Sequence, residues 1–503
     1  MPEATGGPTI IPFGPRGAFA HGGVPPAYDG KRNGSAKRLL NVKDPMSWAR
    51  ALVAEEFVAD PHRTLHKWGG QFYRWNGSRY ESLDIDAVKA IAWRYLESSY
   101  TRGDPGTPPN RFKPNRSAVS DLIEALGAVC SLPSNMVVPA WLDDVPRPKA
   151  AEMLALENGL LHLPSGEMLD PTPAFFTLNA TDVAYDPDAP PPDAWLTFLD
   201  TVFTREDENG AKSIDQEAQE ALQDWFGYAL LPDTSQQKIM LLVGPKRAGK
   251  GTIMWALKRV VGPGNVVAPT LDGLAGTFGL EPLIGKTLAI VGDARLSGRA
   301  DQAPIVERLL SISGEDTCTV GRKFLHAWTG QLPTRFFIST NIVPSLSDAS
   351  GALASRFIVI VLEQSFFGRE DLSLKDRIAA ELPGILNWAI AGYRRLKERR
   401  HFIQPKSGAE AIEDLEMLGS PVSAFVKECC EVAHGFETSV DAVFEKWKTW
   451  CQQDNRREPG TKQRFGRDLK ASVAGLKVVQ HRDGGDRERF YSGLKLKPFW
   501  EIG

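Results

Sequence analysis

Seven consecutive residues, Gly244-Pro245-Lys246-Arg247-Ala248-Gly249-Lys250, have the types and the spacing of a phosphate-binding loop. They follow an apolar run (KIMLLV) and precede a helical pattern (TIMWALKRVV), which is the context that this motif requires. Gly244 and Gly249 let the backbone turn its N–H groups toward phosphate oxygens, and the helix adds its positive N-terminal end. Lys250 supplies a full positive charge. The pattern therefore predicts a site for a nucleotide's phosphates.

The residue after the lysine is Gly251, where a magnesium-binding Ser or Thr is expected. Thr252 is the next hydroxyl, and it can reach Mg²⁺ if the helix begins one residue late. A chance glycine-rich turn is the alternative interpretation of the loop. The agreement of strand, loop, lysine and helix favours a phosphate site.

Polar side chains follow two further apolar runs. Asp293 comes after LAIVG, where an acidic residue normally holds Mg²⁺ or orients the attacking water. It has no second acid beside it, so the general base stays open, with Glu315 or Asp316 as candidates. An aspartate without function on the surface is the alternative. Asn341 comes after RFFIST, and its amide can hydrogen-bond the γ-phosphate or the water.

Arg356 lies 15 residues beyond Asn341, in the sequence LASRF. If this arginine reaches the nucleotide of a neighbouring subunit, it acts as an arginine finger, which accelerates phosphoryl transfer ~10³-fold or more. A structural salt bridge is the alternative, because a sequence alone does not reveal a subunit interface.

The elements that must position these residues follow from the apolar pattern. Between residues 233 and 400, short apolar runs alternate with helical patterns, which indicates an α/β fold with a buried, largely parallel sheet. Residues 45–232 mix helices with hairpins whose turns fall at Asn-Gly and Ser-Gly pairs, which indicates a mixed α+β domain. Residues 1–44, rich in Gly, Pro and Lys/Arg, are expected to be a disordered leader. Residues 401–503 form a separate, more basic domain.

The composition excludes several classes of protein. The 503 residues fit about three domains of ~150 residues each. A net charge of -3 means that any nucleic-acid surface is a local patch. The five cysteines show no metal-ligand spacing and indicate a reducing compartment. There is no apolar run near ~20 residues and no apolar signal core, so we expect a cytoplasmic protein, in a bacterial host, without a membrane partner.

Lys250, Asp293, Asn341 and Arg356, separated by 43, 48 and 15 residues, resemble in order and spacing the motifs of superfamily 3 helicases, the small AAA+ ring motors of viruses and plasmids. Five segments resemble the helicase half of phage and plasmid primase-helicases, which are related to the poxvirus type: LLVGPKRAGKGT, AIVGDARLSGR, ERLLSISGEDTCTVGRK, LPTRFFISTNIVPSLSDASGALASRFIVI and ELPGILNWAIAGYRRL. Upstream, LENGLLHLPSGEMLDPTP and YDPDAPPPDAWLTFL are similar to the domain that precedes this motor. The resemblance covers about residues 60–400.

The resemblance implies an AAA+ P-loop ATPase core and a hexameric, ATP-driven replicative DNA helicase of a phage, prophage or plasmid. Residues 244–252 would bind ATP, Thr252 and Asp293 would hold Mg²⁺, Asn341 would be the sensor and Arg356 the finger. The implied partners are single-stranded and forked DNA, further copies of the chain, and a separate primase or polymerase. Only about 60 residues precede the first matched motif, so we expect no primase domain in this chain.

Related helicases carry a channel-lining loop between the second and third strands, which here is CTVGRKFLHAWTG. Three side chains in it are the candidates for gripping one DNA strand: Arg322, Lys323 and His326. Phe324 and Trp328 could stack on bases. The alternative is that both aromatic residues belong to the core and that the charges form a solvated face.

The C-terminal segment resembles a winged helix, with two helical stretches followed by two short strands around Gly484-Gly485. From Arg456 to Lys497 there are 12 Lys/Arg against 5 Asp/Glu. The pattern TKQRFGRDLKA places three cations on one helix at a spacing suited to the backbone of duplex DNA: Arg464, Arg467 and Lys470. A basic surface helix that binds nothing is the alternative.

Two other functions stay open at this point. An ATP-gated, DNA-binding initiator could load another helicase without unwinding DNA itself, and strand displacement on a forked substrate distinguishes it from a helicase. A small-molecule kinase could use the same phosphate loop, and stimulation of ATP hydrolysis by DNA separates that possibility.

Overall fold

The structure, a computed structural model, describes residues 38–102, 106–133, 135–293, 302–323, 325–344, 346, 352–453, 459–483 and 486–498. The expectations for residues 1–37, Phe324, Arg456 and Gly484-Gly485 lie outside the described residues. The predicted end of the leader is different in the structure, because Leu39–Leu40 forms a strand parallel to Tyr100–Thr101. Residues 38–44 therefore belong to the folded chain.

The N-terminal part contains fifteen short strands and five helices within the described ranges. The strands are β1 (Leu39–Leu40), β2 (Val58–Ala59), β3 (His62–Arg63), β4 (Leu65–Trp68), β5 (Gln71–Trp75), β6 (Tyr80–Leu83), β7 (Tyr100–Thr101), β8 (Asn110–Arg111), β9 (Ala140–Trp141), β10 (Met153–Ala155), β11 (Leu160–His162), β12 (Glu167–Leu169), β13 (Phe175–Phe176), β14 (Thr204–Glu206) and β15 (Lys212–Ile214). The helices are α1 (Pro45–Glu56), α2 (Ile85–Glu97), α3 (Arg116–Val129), α4 (Asp193–Val202) and α5 (Gln216–Tyr228).

The predicted hairpins of this part are confirmed. Strands β5 and β6 pair antiparallel around the Asn76-Gly77 turn, where Gly77 has a φ of 114°. Strands β10, β11 and β12 form an antiparallel meander whose turns fall at the predicted Asn-Gly and Ser-Gly pairs. Gly166 likewise has a φ of 77°, and a positive φ is open to glycine without steric cost, so these two glycines favour the turns that set the register of their strands.

The central part is built on a five-stranded sheet. Its elements are β16 (Ile239–Val243), α6 (Lys250–Val261), β17 (Val266–Val267), α7 (Leu271–Leu274), β18 (Leu288–Gly292), α8 (Ala303–Ser313), β19 (Cys318–Arg322), β20 (Leu325–Gly330), β21 (Arg335–Thr340), α9 (Ala352–Arg356), β22 (Phe357–Val361), α10 (Leu374–Ala380) and α11 (Leu382–Arg399). The strand order in the sheet is β17-β18-β21-β16-β22, and every pair is parallel. The predicted α/β fold with a buried parallel sheet is confirmed.

Both faces of this sheet are covered by helices. Met240 and Leu242 of β16 pack into one core with α4, α5, α6 and α11, while their neighbours along the strand, such as Leu241, pack into a second core with α7, α8 and α9. The domain boundary predicted at residue 232 falls inside the first core, because Trp195 and Trp225 are members of it. Within the described ranges, no helix has the length and apolarity needed to cross a bilayer.

The C-terminal part has its own core, in which Phe425, Trp447 and Phe465 pack together. Its elements are α12 (Ala409–Gly419), α13 (Pro421–Cys429), β23 (Cys430–Ser439), α14 (Val440–Gln453), α15 (Lys462–Ser472), β24 (Lys477–Asp483) and β25 (Asp486–Leu496). Strands β24 and β25 pair antiparallel on either side of the predicted glycine turn, so the hairpin is confirmed. Helix α12 belongs to the C-terminal part by position in the chain, but its residues Ala411 and Leu415 pack in the second core of the sheet.

A buried arginine connects α5 to the sheet. Arg335, at the start of β21, is only 2% exposed, and its guanidinium donates to the carbonyls of Tyr228, Asp233 and Thr287 at 3.0, 2.7 and 3.1 Å. Burial lowers the pKa of Arg335 to about 10, so the group stays charged at neutral pH. Its charge also complements the negative C-terminal end of α5.

We expect Arg335→Met to destabilise the fold strongly. The substitution would leave several buried carbonyl oxygens without a donor, at about 1–3 kcal/mol each, so the free energy of unfolding should fall by about 3 kcal/mol or more. Scanning calorimetry would detect this as a lower melting temperature. Arg394→Met, on the exposed face of α11, is the control and should change the melting temperature little. Equal melting temperatures for the two variants would contradict the structural role given to Arg335.

Candidate functional site

The phosphate loop connects the C-terminal end of β16 to α6. Gly249 ends the loop with a φ of 89°, and a Cβ placed there would lie 2.8 Å from Val202 Cγ1 of α4. A Cβ on Gly244 would lie 2.9 Å from the carbonyl oxygen of Leu362. Both glycines are therefore required, Gly249 by its backbone conformation and by space, and Gly244 by space.

Lys250 reaches back across the loop from the first turn of α6. Its Nζ donates to the carbonyls of Gly244 and Pro245, at 2.5 and 2.7 Å, and to Asn341 Oδ1 at 2.9 Å. Partial burial lowers the pKa of Lys250, and the nearby charge of Asp293 offsets part of this effect. The structure thus brings Lys250, Asn341 and Asp293 together at the carboxyl ends of neighbouring parallel strands.

Asp293 follows β18 directly and has a φ of 58°, a left-handed conformation that is uncommon for residues other than glycine. Unusual backbone conformations of this kind cluster at functional sites. Asp293 and Thr252 line the same cavity as Lys250. A carboxylate and a hydroxyl are oxygen ligands of the type that Mg²⁺ uses in nucleotide sites. Among the described residues, no group of three His, Cys, Asp or Glu side chains forms a closed metal site.

The structure changes the expected place of the helix start. Helix α6 begins at Lys250, not one residue later, and the Thr252 N–H donates to the carbonyl of Gly249 at 2.9 Å. Thr252 faces the cavity all the same, as does Gly251. A late helix start is therefore not needed to bring the Thr252 hydroxyl to the site.

The cavity around the loop has a volume of about 1060 Å³. Its polar lining includes the phosphate loop with Asp293 and Asn341. Apolar side chains that the sequence did not indicate as functional also line it: Phe198, Val202, Met254, Phe366 and Leu374. A lining with both polar and apolar groups suits a ligand that carries both phosphates and a flat ring.

A segment after β22, residues 362–377, crosses over the phosphate loop. The N–H of Phe366 donates to the carbonyl of Arg247 at 3.0 Å, and Ser365 Oγ donates to the carbonyl of Lys246 at 2.9 Å. Three cations of this segment line the cavity: Arg369, Lys375 and Arg377. Sequence reasoning missed them, because no motif marks this segment.

Arg356 lies at the opposite end of the sheet from this cavity. It precedes β22, whose first residue pairs with Ile239 at the start of β16, whereas the phosphate loop follows the end of β16. Five residues of strand separate the two ends, about 16 Å at ~3.3 Å per residue. Arg356 Nη1 donates to Ser313 Oγ at 3.4 Å. The pKa of Lys238 is lowered mainly by burial of its ammonium and also by the positive charge of Arg356. One chain therefore does not bring Arg356 to its own phosphate loop.

Glu315 and Asp316 do not line the cavity either. Glu315 Oε1 accepts a hydrogen bond of 2.7 Å from Thr234 Oγ1, close to the start of β16 and so toward the end of the sheet where Arg356 lies. The structure does not support a role for these two acids at the phosphate loop of the same chain. The further carboxylates that do line the cavity are Asp193, Glu370 and Asp371.

The candidate DNA loop is a β-hairpin made of β19 and β20. His326 and Lys323 are exposed, and the N–H of Lys323 donates to Glu281 Oε2 at 3.2 Å. Arg322 is only partly exposed, and its Nη1 donates to the carbonyl of Gly69 in the N-terminal part, at 2.8 Å. Trp328 packs partly against the second core of the sheet. The exposed end of the hairpin thus carries Lys323 and His326, while Arg322 and Trp328 are held by the fold.

Phe278 is a neighbour of this hairpin that sequence reasoning missed. It is 48% exposed, and its ring lies 3.7 Å from the Cβ position of Gly321. An exposed aromatic ring beside the cations of the hairpin provides the type of surface on which bases stack. Only the folding of the chain between β17 and β18 brings Phe278 to this place, so its sequence neighbours gave no signal.

The three cations predicted on one helix lie on α15, and all are exposed: Arg464, Arg467 and Lys470. The opposite face of α15 is buried through Phe465 and Leu469. Asp468 lies within 3.8 Å of Arg464 and 3.3 Å of Arg467. Three exposed cations against this one carboxylate leave the face with a net positive charge.

Gly249 of the phosphate loop offers a test of nucleotide binding. We expect Gly249→Ala to abolish nucleotide binding, because its φ of 89° and the 2.8 Å contact with Val202 exclude a side chain. Lys258→Ala is the control, since Lys258 is an exposed residue of α6 that does not line the cavity. Binding of a fluorescent ATP analogue measures both variants. Equal affinities would show that the loop does not bind the phosphates.

Two family models match parts of the chain. Residues 51–204 match a model described as "D5 N terminal like", and residues 242–356 match a family of unknown function (DUF5906). The second match begins in the phosphate-loop strand and ends at Arg356, so it spans all four predicted motif residues. Because the function of this second family is unknown, the match assigns no role to the four residues.

Solved structures that are similar to this chain include two of the NrS-1 C terminal region. The A form apo structure is 12% identical, covers 90% of this chain and 100% of its own, and has a TM-score of 0.45. Another apo structure of that region is 13% identical with the same coverage and a TM-score of 0.45. The match of residues 51–204 to the D5 N terminal like model supports the predicted relation of this chain to the primase-helicase family.

Proposed function

We propose that this chain is an ATP-dependent replicative DNA helicase of the superfamily 3 (AAA+) type, from a phage, prophage or plasmid. In this proposal a hexameric ring binds ATP with Mg²⁺ between its subunits and moves along single-stranded DNA. One observation supports the proposal most directly: Lys250, Asn341 and Asp293 line one cavity, and Arg356 lies at the opposite end of the sheet.

The chemistry of hydrolysis follows from these positions. The loop N–H groups and Lys250 would hold the phosphates, and the Thr252 hydroxyl and Asp293 carboxylate would hold Mg²⁺. Asn341, already bonded to Lys250, would contact the γ-phosphate or the attacking water. The base would stack against one of the aromatic side chains that line the cavity, Phe198 or Phe366. Electrostatic stabilisation of this kind is the main catalytic contribution in phosphoryl transfer.

The location of Arg356 favours a ring over a monomer. A finger about 16 Å from the phosphate loop of its own chain is useful only to a neighbour's nucleotide. A head-to-tail interface that repeats around a closed ring would bring the Arg356 end of one sheet to the phosphate-loop end of the next. ATP hydrolysis would then require two subunits.

DNA contact is assigned to the hairpin and to α15. Lys323 and His326 are exposed at the hairpin, with Phe278 beside them, which suits a single strand with unstacked bases. The cationic face of α15 belongs to a part with the order helix–strand–helix–helix–strand–strand, the order of winged helices, and it suits the backbone of a duplex. This second surface also favours the alternative function, a DNA-binding initiator that loads a helicase.

Stimulation of ATP hydrolysis by DNA tests the proposed function. Purified protein should release phosphate from ATP faster when oligothymidylate is added, and Lys323→Ala with His326→Ala should remove the stimulation. Lys477→Ala, at an exposed lysine of β24, is the control and should keep it. A rate of ATP hydrolysis that does not change when DNA is added would contradict the proposal. Phosphate transfer that requires a small-molecule acceptor would favour a kinase.

A further inference from the structure

We propose that Arg322 is a positioning residue that holds the β19–β20 hairpin against the N-terminal part of the chain, and that it does not itself contact DNA. Its partner is the β4–β5 turn, which consists of Gly69 and Gly70. Through this contact the N-terminal part keeps the exposed end of the hairpin, with Lys323 and His326, in the position for binding a single strand. The nature of that ligand rests on the proposed function, whereas the contact itself does not.

The hairpin has a supported base and an exposed end. Val320 is 1% exposed and lies opposite Trp328, which packs partly against the second core of the sheet. The register of the two strands shifts between Val320 and Arg322, and the pair of Arg322 with Leu325 is the one nearest to the turn of the hairpin. Leu325 and His326 are exposed. The core of the sheet therefore holds the base of the hairpin but not its end.

The β4–β5 turn meets the hairpin where its support from the core ends. Arg322 Nη1 donates to the Gly69 carbonyl at 2.8 Å, and Trp328 Cδ1 lies 3.8 Å from the position that a Cβ on Gly69 would take. Burial raises the pKa of the Tyr73 phenol on β5, and the positive charge of Arg322 offsets part of this rise. Arg322 therefore lies beside β5 as well as the turn, and both strands of the hairpin contact the same turn.

The β4–β5 turn is a firm surface for this contact. Its two glycines have φ values of 55° and 83°, and positive φ at both central residues is what the type I′ turn of a two-residue hairpin loop requires. Trp68, directly before the turn, is buried, and its ring centroid lies 6.4 Å from that of Phe176. Phe176 in turn packs on Tyr80, with ring centroids 4.6 Å apart. The turn is thus anchored in an aromatic cluster of the N-terminal part.

A second attachment of the N-terminal part lies at the C-terminal end of α6. Asn265 Nδ2 donates to the carbonyls of Ala180 and Val261, at 2.9 and 2.7 Å, and Asn265 is buried. Arg79 Nη1 donates to the same Ala180 carbonyl at 3.1 Å. Since α6 begins at Lys250, the N-terminal part is attached both to the helix of the nucleotide site and to the hairpin. It can thus hold the hairpin in one position relative to the phosphate loop.

A direct contact between Arg322 and a DNA phosphate is the alternative role, and it is the one that the sequence predicts. Arg322 is only partly exposed, unlike its neighbour Lys323, and its guanidinium is already bonded to a backbone carbonyl of the N-terminal part. These two observations favour positioning. The two roles also predict different salt dependences. Each phosphate contact with a single strand adds ~0.7 to the slope of log affinity against log salt, whereas a positioning residue adds nothing.

Binding of fluorescent oligothymidylate to the full chain, without nucleotide and at several salt concentrations, separates the two roles. Arg322→Met and Lys323→Met are a matched pair, since each removes one positive charge and keeps an unbranched side chain. We expect Arg322→Met to weaken binding about fivefold and to leave the slope unchanged, because ordering a released hairpin end costs conformational entropy. Lys323→Met should make the slope shallower by about 0.7. If Arg322→Met makes the slope shallower by the same amount, or leaves the affinity unchanged, the inference is overturned.

Amide hydrogen exchange, measured without DNA or ATP, tests the contact itself. Arg322→Met should make the amides of residues 318–330 exchange about tenfold faster, whereas Lys323→Met should leave them at the wild-type rate. Unchanged exchange in α15 verifies that both variants are folded. Wild-type exchange of the hairpin in Arg322→Met would show that the β4–β5 turn does not position it. A wild-type protein that binds no oligothymidylate would contradict the proposed function, and the exchange rates would still decide whether Arg322 positions the hairpin.

Discussion

Lys250→Ala should lower ATP hydrolysis by about 10²–10³-fold, the usual effect of removing one preorganised electrostatic group from a transition state. The Lys250 ammonium spans the loop, with bonds to the carbonyl of Gly244 and to Asn341. Its loss removes a full charge from the phosphates and also releases Asn341. Unwinding of DNA should disappear with hydrolysis.

Lys246→Ala is the matched control, because it is a lysine of the same loop, four residues away, whose side chain is exposed. We expect it to change the rate several-fold at most. Phosphate release under saturating ATP and Mg²⁺ measures both variants, and melting temperatures verify that both are folded. A Lys250→Ala protein that still hydrolyses ATP at the wild-type rate would exclude the loop as the catalytic site.

Arg356→Ala should reduce hydrolysis by ~10³-fold while ATP still binds. The physical reason is the geometry of the sheet, in which Arg356 precedes β22 and the phosphate loop follows β16 at the other end. Substrate binding does not need the finger, whereas the charge that develops during phosphoryl transfer does. Arg394→Ala, an exposed arginine of α11, is the control and should hydrolyse ATP normally.

Mixing experiments separate a finger in a neighbouring subunit from a structural arginine. A mixed ring of Lys250→Ala and Arg356→Ala subunits contains interfaces with one intact loop and one intact finger. The mixture should therefore recover part of the activity that each variant lacks alone. If no ratio of the two variants recovers hydrolysis, Arg356 does not act across an interface.

Much of the site could be predicted because local patterns determine it. The apolar runs before Asp293 and Asn341 identified strands, and parallel strands bring their carboxyl ends to one edge of a sheet. The hydrogen bond between Asn341 and Lys250 is the direct result. The same reason explains why the turns at Asn-Gly and Ser-Gly pairs and the amphipathic helices could be predicted. Each of these elements is determined by the types of a few neighbouring residues.

The parts that the sequence did not reveal depend on distant contacts. Phe198 and Val202 close one side of the phosphate loop, but as apolar helix residues they carry the same pattern as any core position. The segment that contains Arg369 has no motif, and its place over the loop is fixed by backbone bonds to Lys246 and Arg247. Arg322 was predicted as a DNA contact, yet its guanidinium bonds to Gly69, more than 200 residues earlier in the chain.

Strand displacement on a forked DNA substrate, with only this protein, ATP and Mg²⁺, tests the central claim most directly. The proposed function predicts that wild-type protein separates the strands when ATP is present and that the Lys250→Ala protein does not. Hydrolysis of ATP without any displacement would contradict a helicase and favour an initiator that loads one. Displacement that proceeds equally well without ATP would contradict a motor of any kind.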